Sequence, residues 1–159
     1  MKNILIGVLV VIVALGAWWY FAINTDSETT VIKLFYYSLE KDTNEEGMLL
    51  CSREGLVAVE REAPIGVHAE DAVRLLLEGR ITAPEKDIGI TTEFPLEGLS
   101  VEKSILENGV LTLTLDDPLH KTVGGSCRAS VLWRQIEATA LQFSDVREVR
   151  FEPEELFQP

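Results

Sequence analysis

Residue types that build many active sites are scarce in this 159-residue chain, which has two cysteines and two histidines. They stand at positions 51, 68, 120 and 127, without the close C-x-x-C or H-x-x-x-H spacing of zinc sites. The phosphate-binding patterns G-x-x-x-x-G-K-[ST] and G-x-G-x-x-G are also absent. We therefore expect no metal site, no nucleotide site and no other cofactor.

Positive charge is sparse beyond residue 23, where 13 Lys and Arg are outnumbered by 26 Asp and Glu. The resulting net charge of −13 repels nucleic acid and anionic lipid headgroups. We therefore expect neither DNA nor RNA as a partner of this part of the chain.

Charge of either sign is missing from residues 4–23, ILIGVLVVIVALGAWWYFAI. As a helix with a rise of 1.5 Å per residue, this run covers roughly the ~30 Å hydrocarbon thickness of a bilayer. Trp18, Trp19 and Tyr20 near its end suit the membrane interface. The alternative is a cleaved secretory signal, which has a shorter apolar run followed by small residues. We predict an uncleaved, single-pass anchor in the cell membrane.

The charges beside this segment predict its orientation. Lys2 precedes it, whereas Asp26 and Glu28 follow it, which favours a cytoplasmic N-terminus. The predicted organisation is a cytoplasmic N-terminus (1–3), an anchor (4–23), a linker (24–30) and an extracytoplasmic domain (31–159). A cleaved signal would export the domain as well.

Hydrophobic periodicity predicts the elements of this domain. Its order is strand (31–38), strand (56–61, with a shorter paired piece near 49–51), helix (68–79), hairpin (101–115), helix (from 126 to 143) and strand (146–153). Asn108 and Gly109 suit the two-residue turn of the hairpin, and Ser126 suits an N-cap. We predict an α+β two-layer sandwich, in which two helices pack on one face of a mixed or antiparallel sheet of about four to five strands.

The second half of the domain resembles a known family. The stretches EFPLEGLSVEKSILENGVLTLTLDDP and WRQIEATALQFSDVREVRF are similar to the GerMN domain at Pro95, Gly109, Asp116, Gln135, Ile136, Thr139, Gln142, Phe143, Val146 and Val149. VIKLFYY and AVRLLLEG extend the resemblance over residues 31–151. The resemblance implies an extracytoplasmic α+β module, held in the cell envelope and used in protein assemblies rather than catalysis. The chain departs from the family in having a single such domain and a pair of cysteines.

Cys127, at the start of the second predicted helix, admits two interpretations. The helix dipole and neighbouring Arg128 would favour a reactive thiolate, with His120 as the candidate base. An even number of cysteines in an exported domain instead favours a disulfide, here between Cys51 and Cys127. We predict the disulfide, with a pair of free thiols as the alternative.

Three apolar residues lie outside the predicted core pattern: Trp133 on the second helix, and Leu156 and Phe157 near the C-terminus. Exposed aromatics are natural anchors for a partner, so we predict these three as partner-binding residues. The alternative is that they cover the edge of the small core. The predicted function is non-catalytic binding of another envelope protein or of the cell wall. The alternative is an envelope hydrolase that depends on the Cys127 thiol or on carboxylates such as Asp116 or Asp117.

Overall fold

The computed structural model describes Gly16, Trp18, Trp19 and residues 28–158. The rest of the predicted anchor, including Tyr20, and most of the linker lie outside the described residues. In the part that is described, no helix is both long enough and apolar enough to cross a membrane. The anchor therefore stays a prediction.

The first sheet is an antiparallel pair of β1 (Thr29–Tyr37) and β2 (Leu56–Pro64). Side chains alternate across a strand, and Ile32, Leu34 and Tyr36 on one face of β1 are buried, as the alternation predicts. β1 begins two residues before the predicted start at residue 31. Between the two strands lie two one-turn 3-10 helices, Glu40–Asp42 and Arg53–Gly55. The short strand predicted near 49–51 is reduced to an isolated bridge between Thr43 and Leu49.

The second sheet has three strands in the order β3 (Ser100–Glu107), β4 (Val110–Asp116) and β5 (Glu148–Glu152). β3 and β4 form the predicted hairpin, with Asn108 at φ 52° and Gly109 at φ 81° in its turn. These positive values match the two-residue turn that the Asn-Gly pair favours. β5 runs parallel to β4, and the connection between them contains a helix, as parallel pairs require.

The helices are α1 (Ala69–Leu77), the short α2 (Ala83–Asp87) and α3 (Ser126–Leu141). Residues at helical spacing are buried on both long helices: Ala69, Ala72, Val73 and Leu76 of α1, and Leu132, Ile136, Thr139 and Ala140 of α3. The periodicity analysis missed α2. The N-cap of α3 is Gly125 rather than the predicted Ser126, because the extended residue is Gly125 (φ −61°, ψ 153°) and Ser126 is already helical.

Both long helices contribute to one core shared by the two sheets. α1 packs against α3, β1 and β3, and α3 also packs against β1 and β5. Leu132 and Ile136 of α3 are fully buried, as are Leu76 of α1 and Leu113 of β4. The α+β class is therefore confirmed, with two sheets in place of the single sheet predicted.

The sheets stay separate because α3 closes the outer edge of β1. Lys33 N donates to Gln142 Oε1 (2.7 Å), and Gln142 Nε2 donates back to Lys33 O (2.6 Å). Phe35 N donates to Thr139 Oγ1 (3.0 Å). Further along, Tyr37 and Thr91 exchange two backbone hydrogen bonds of 3.0 and 2.7 Å. With these groups satisfied, this edge of β1 offers no ladder to a further strand.

Candidate functional site

The cysteines form the predicted disulfide. Cys51 and Cys127 are bonded, with their Cα atoms 5.2 Å apart, within the usual range for a disulfide. The bond ties the loop before β2 to the first turn of α3. Cys127 is therefore not a free thiolate, and the thiol-dependent hydrolase is contradicted.

A buried carboxylate organises the loop that carries Cys51. Asp42 is 1% exposed and accepts hydrogen bonds from Ser52 N, from the Ser52 hydroxyl and from the Tyr37 hydroxyl. Burial opposes a charge on Asp42, but the hydrogen bonds from Ser52 and Tyr37 outweigh it and lower the pKa of the carboxyl. Burial and the neighbouring Asp42 also raise the pKa of the Tyr37 phenol. The network fixes the residues beside the disulfide.

Both histidines lie at turns of the chain. His68 is the N-cap of α1, and Asp71 Oδ2 accepts a hydrogen bond from His68 N (3.0 Å). This cap explains the position of His68 in structural terms. His120 lies in the loop after β4, with φ 50°, and lines a cavity of about 390 Å³ with Asp116, Asp117 and Glu155.

The Asp117 carboxylate holds that loop together. It accepts hydrogen bonds from Lys121 N (2.7 Å), Thr122 N (2.8 Å) and Thr122 Oγ1 (2.7 Å). Burial opposes the charge, but the bonds from Thr122 and Lys121 outweigh it, so the pKa of Asp117 is lowered. Pro118 and Leu119 form a turn within this loop. Asp117 is engaged in the loop itself, which gives it a structural role.

The predicted partner-binding residues divide into one exposed and two buried side chains. Trp133 is 36% exposed, whereas Leu156 and Phe157 are only 7% and 5% exposed. The expectation that the last two are exposed is wrong, because the C-terminal segment folds back onto β5. The Phe151 ring there makes edge contacts with Trp133 (5.1 Å between centroids) and with Phe157 (5.0 Å).

Trp133 borders a cavity of about 570 Å³, which we call the Trp133 groove. Its walls are all five residues of β5, Thr112 of β4, Trp133 and Glu137 of α3, and Glu154, Leu156 and Gln158 of the C-terminal segment. The groove was missed in the sequence, although the alternation of exposed Glu148, Arg150 and Glu152 with buried Val149 and Phe151 marks its strand. It combines an aromatic side chain, backbone of β5 and several carboxylates, which suits binding.

A second, more apolar cavity of about 510 Å³ lies beside the disulfide. Cys127, Val131 and Gln135 of α3 form one wall, and Leu39 and Leu49 contribute from the loop after β1. These two leucines are 51% and 40% exposed. They too were missed, because residues 49–51 were interpreted as part of a strand pair.

Comparison with known proteins places the chain beside sporulation proteins. The family model Germane, described as "Sporulation and spore germination", matches residues 33–155. The chain also resembles the solved tandem GerMN domains of the sporulation protein GerM from Bacillus subtilis, with a TM-score of 0.54 and 18% identity. The match covers 82% of this chain and 42% of that one, so this chain spans less than half of the tandem structure. No curated protein matches significantly.

Proposed function

We propose, since this chain belongs to the Germane family of sporulation and spore germination domains, that it is a non-catalytic binding domain of the cell envelope. In this proposal residues 4–23 anchor it in the membrane, and the domain docks on another envelope protein on the extracytoplasmic side. Cell-wall polymer is the second candidate partner.

The observation that carries the proposal is the Trp133 groove. It offers a tryptophan that is 36% exposed beside a strand, whereas the carboxylate of Asp117 and the backbone N–H of His68 are engaged in structural hydrogen bonds. Trp is among the residues that contribute most to binding energy at interfaces. The Cys51–Cys127 bond supports an extracytoplasmic domain, because disulfides persist in oxidising compartments.

Site-specific photocrosslinking in living cells tests the proposal. A benzophenone amino acid replaces Gln158, an exposed residue of the groove, and in a control protein it replaces Ile88, which is 70% exposed and does not line the groove. We expect one discrete protein adduct from position 158 that is absent from position 88 and lost in the Trp133→Ala background. Equal adducts from both positions, or none from position 158, would overturn docking through the groove.

Two further experiments test cell wall as the partner and the extracytoplasmic position of the domain. Sedimentation of the full-length protein with purified cell wall, lost in Trp133→Ala, would move the proposal from a protein to the wall. Protease added to cells with a permeabilised outer layer and intact membranes should digest the domain. Complete protection of the domain would contradict its extracytoplasmic position.

A further inference from the structure

One edge of β5 has no strand beside it. β5 pairs with β4 on one side, and among the described residues no strand pairs with its other side. An edge strand presents a row of unpaired N–H and C=O groups, which can accept another strand. All five residues of β5 line the Trp133 groove, so this edge lies beside a space of about 570 Å³.

The groove has an excess of negative charge. Four glutamates line it against a single cation, Arg150. Glu148 is paired with Arg150 (2.7 Å) and Glu137 with Arg53 (2.5 Å). Glu152 and Glu154 are exposed and have no cationic partner within the described part of the chain. The two carboxylates favour a partner with positive charge.

Trp133 adds a surface for the same kind of partner. Its ring packs edge-on against Phe151, which fixes its position, while 36% of the residue remains exposed. The face of an indole packs against apolar side chains and against the aliphatic stems of Lys and Arg. A helix flank, an open strand edge and a cavity between them form a setting for strand addition.

We propose that the Trp133 groove binds an extended, cationic segment of a partner protein, which adds to β5 as a strand. The inference rests on the proposed binding function and adds the partner's chemistry. Five residues of β5 offer about 17 Å of edge at 3.3 Å per residue. Alternate Lys or Arg side chains of the added strand lie on the face that carries Glu152, and the residues between them lie on the other face, toward Phe151 and the Trp133 ring. A second copy of this acidic chain is a poor occupant, because its own β5 would bring the same glutamates together.

The chain supplies a matched control at β2. That strand also has an edge without a partner strand in the described region, and it also carries two exposed glutamates, Glu60 and Glu62. Neither lines the Trp133 groove. Glu60→Lys/Glu62→Lys and Glu152→Lys/Glu154→Lys change the net charge equally. The pair separates binding in the groove from general attraction to an acidic protein.

Peptide binding to the full-length protein in nanodiscs of neutral lipid tests the inference by fluorescence anisotropy. The probes are ten-residue peptides that alternate Lys with Val, Glu with Val, or Lys with Pro. The last has the same charge as the first but cannot form a strand ladder. Circular dichroism checks that each variant is folded.

We expect the Lys-Val peptide to bind at least tenfold more tightly than the other two. Glu152→Lys/Glu154→Lys and Trp133→Ala should each weaken it about tenfold or more, and Glu60→Lys/Glu62→Lys less than threefold. Hydrogen exchange of the β5 amides should slow when the peptide is bound. Equal losses from the two double variants, or equal binding of the Lys-Pro peptide, would overturn strand addition in the groove.

The crosslinking experiment distinguishes this inference from the proposed function. A partner captured at position 158, with no preference among the three peptides, leaves the binding function standing and overturns the strand-addition inference. Selective binding of the Lys-Val peptide without a crosslinked protein in cells supports the chemistry of the groove and overturns its proposed role in docking to an envelope protein.

Discussion

The two sheets are held to α3 by different chemistry. The three-stranded sheet presents buried apolar side chains, such as Leu113 and Phe151, to the core. β1 of the two-stranded sheet also buries apolar residues, but it is hydrogen-bonded through its backbone to Thr139 and Gln142. Its region is further tied to α3 by a disulfide and an ion pair. Apolar packing is non-directional, whereas the directional bonds determine where the edge of β1 lies.

The largest test of this comparison removes the covalent tie. The disulfide closes a loop with a sequence separation of 76 residues, and Cys51→Ser/Cys127→Ser should lower the free energy of unfolding by about 4 kcal/mol in the chain-entropy model. Urea denaturation measures it. Reduction of the wild-type protein should give a similar loss. Unchanged stability in both would show that the other links suffice.

The second test varies the pH to probe an ion pair between β2 of the two-stranded sheet and α2. Arg61 binds Glu85 through two hydrogen bonds of 2.7 and 2.8 Å. The bonds from Arg61 outweigh burial and lower the pKa of Glu85 to about 2. A carboxyl whose pKa is lower in the folded state stabilises the fold at pH values above its ordinary pKa. That contribution is lost as the pH falls toward 2.

We therefore expect Glu85→Gln to cost about 2 kcal/mol at pH 7, allowing for solvent around the pair, and almost nothing at pH 2. Urea titrations at pH 7, 4 and 2 measure the difference. The same gap at all three pH values would contradict the role of this carboxylate. Glu62→Gln, which alters an exposed acid next to Arg61 on β2, is the control.

The third test removes one directional bond from α3. Thr139→Val keeps the shape but deletes the hydroxyl that accepts from Phe35 N, which should cost about 1 to 1.5 kcal/mol. Thr139→Ser retains the acceptor and should retain the bond. Hydrogen exchange at Phe35 should speed up in the valine variant alone, with the β3–β4 amides less affected. Equal exchange in both variants would assign the effect to packing.

The smallest effect is expected from the ion pair of Arg53 and Glu137. Their separation is 2.5 Å, but the Arg53 side chain is 54% exposed, so solvent weakens the attraction. Arg53→Ala should change the free energy of unfolding by less than about 0.5 kcal/mol. A decrease of more than 1 kcal/mol in the free energy of unfolding would show that this pair contributes as much as the hydrogen bond between Phe35 N and Thr139.

The same contrast explains what the sequence could predict. Local patterns were sufficient for the five strands that form, the two long helices and the turn at Asn108–Gly109, because periodicity and turn chemistry act over a few residues. Cysteine count was sufficient for the disulfide. The resemblance to the family was confirmed by the match over residues 33–155. Among the residues that carried it, Gln142 and Thr139 prove to be the ones that bond β1.

Long-range contacts were the part that could not be predicted. Nothing local shows that Gln142 takes the place of a strand beside Lys33, so the single sheet was the natural expectation. Leu156 and Phe157 were expected to be exposed for the same reason. Both are buried, and Phe157 packs on Phe151, which no pattern in the C-terminal segment indicates. The groove follows from that packing.

The hydrogen bonds between Gln142 and Lys33 also affect the order in which the chain can fold during synthesis. The two residues are separated by 109 positions, so β1 is synthesised long before the side chain that closes its edge. At about 5–20 residues per second, the interval is roughly 5 to 20 s. During that interval this outer edge of β1 stays open even after β2 has paired with the other edge, so a chaperone has to protect it from other strands.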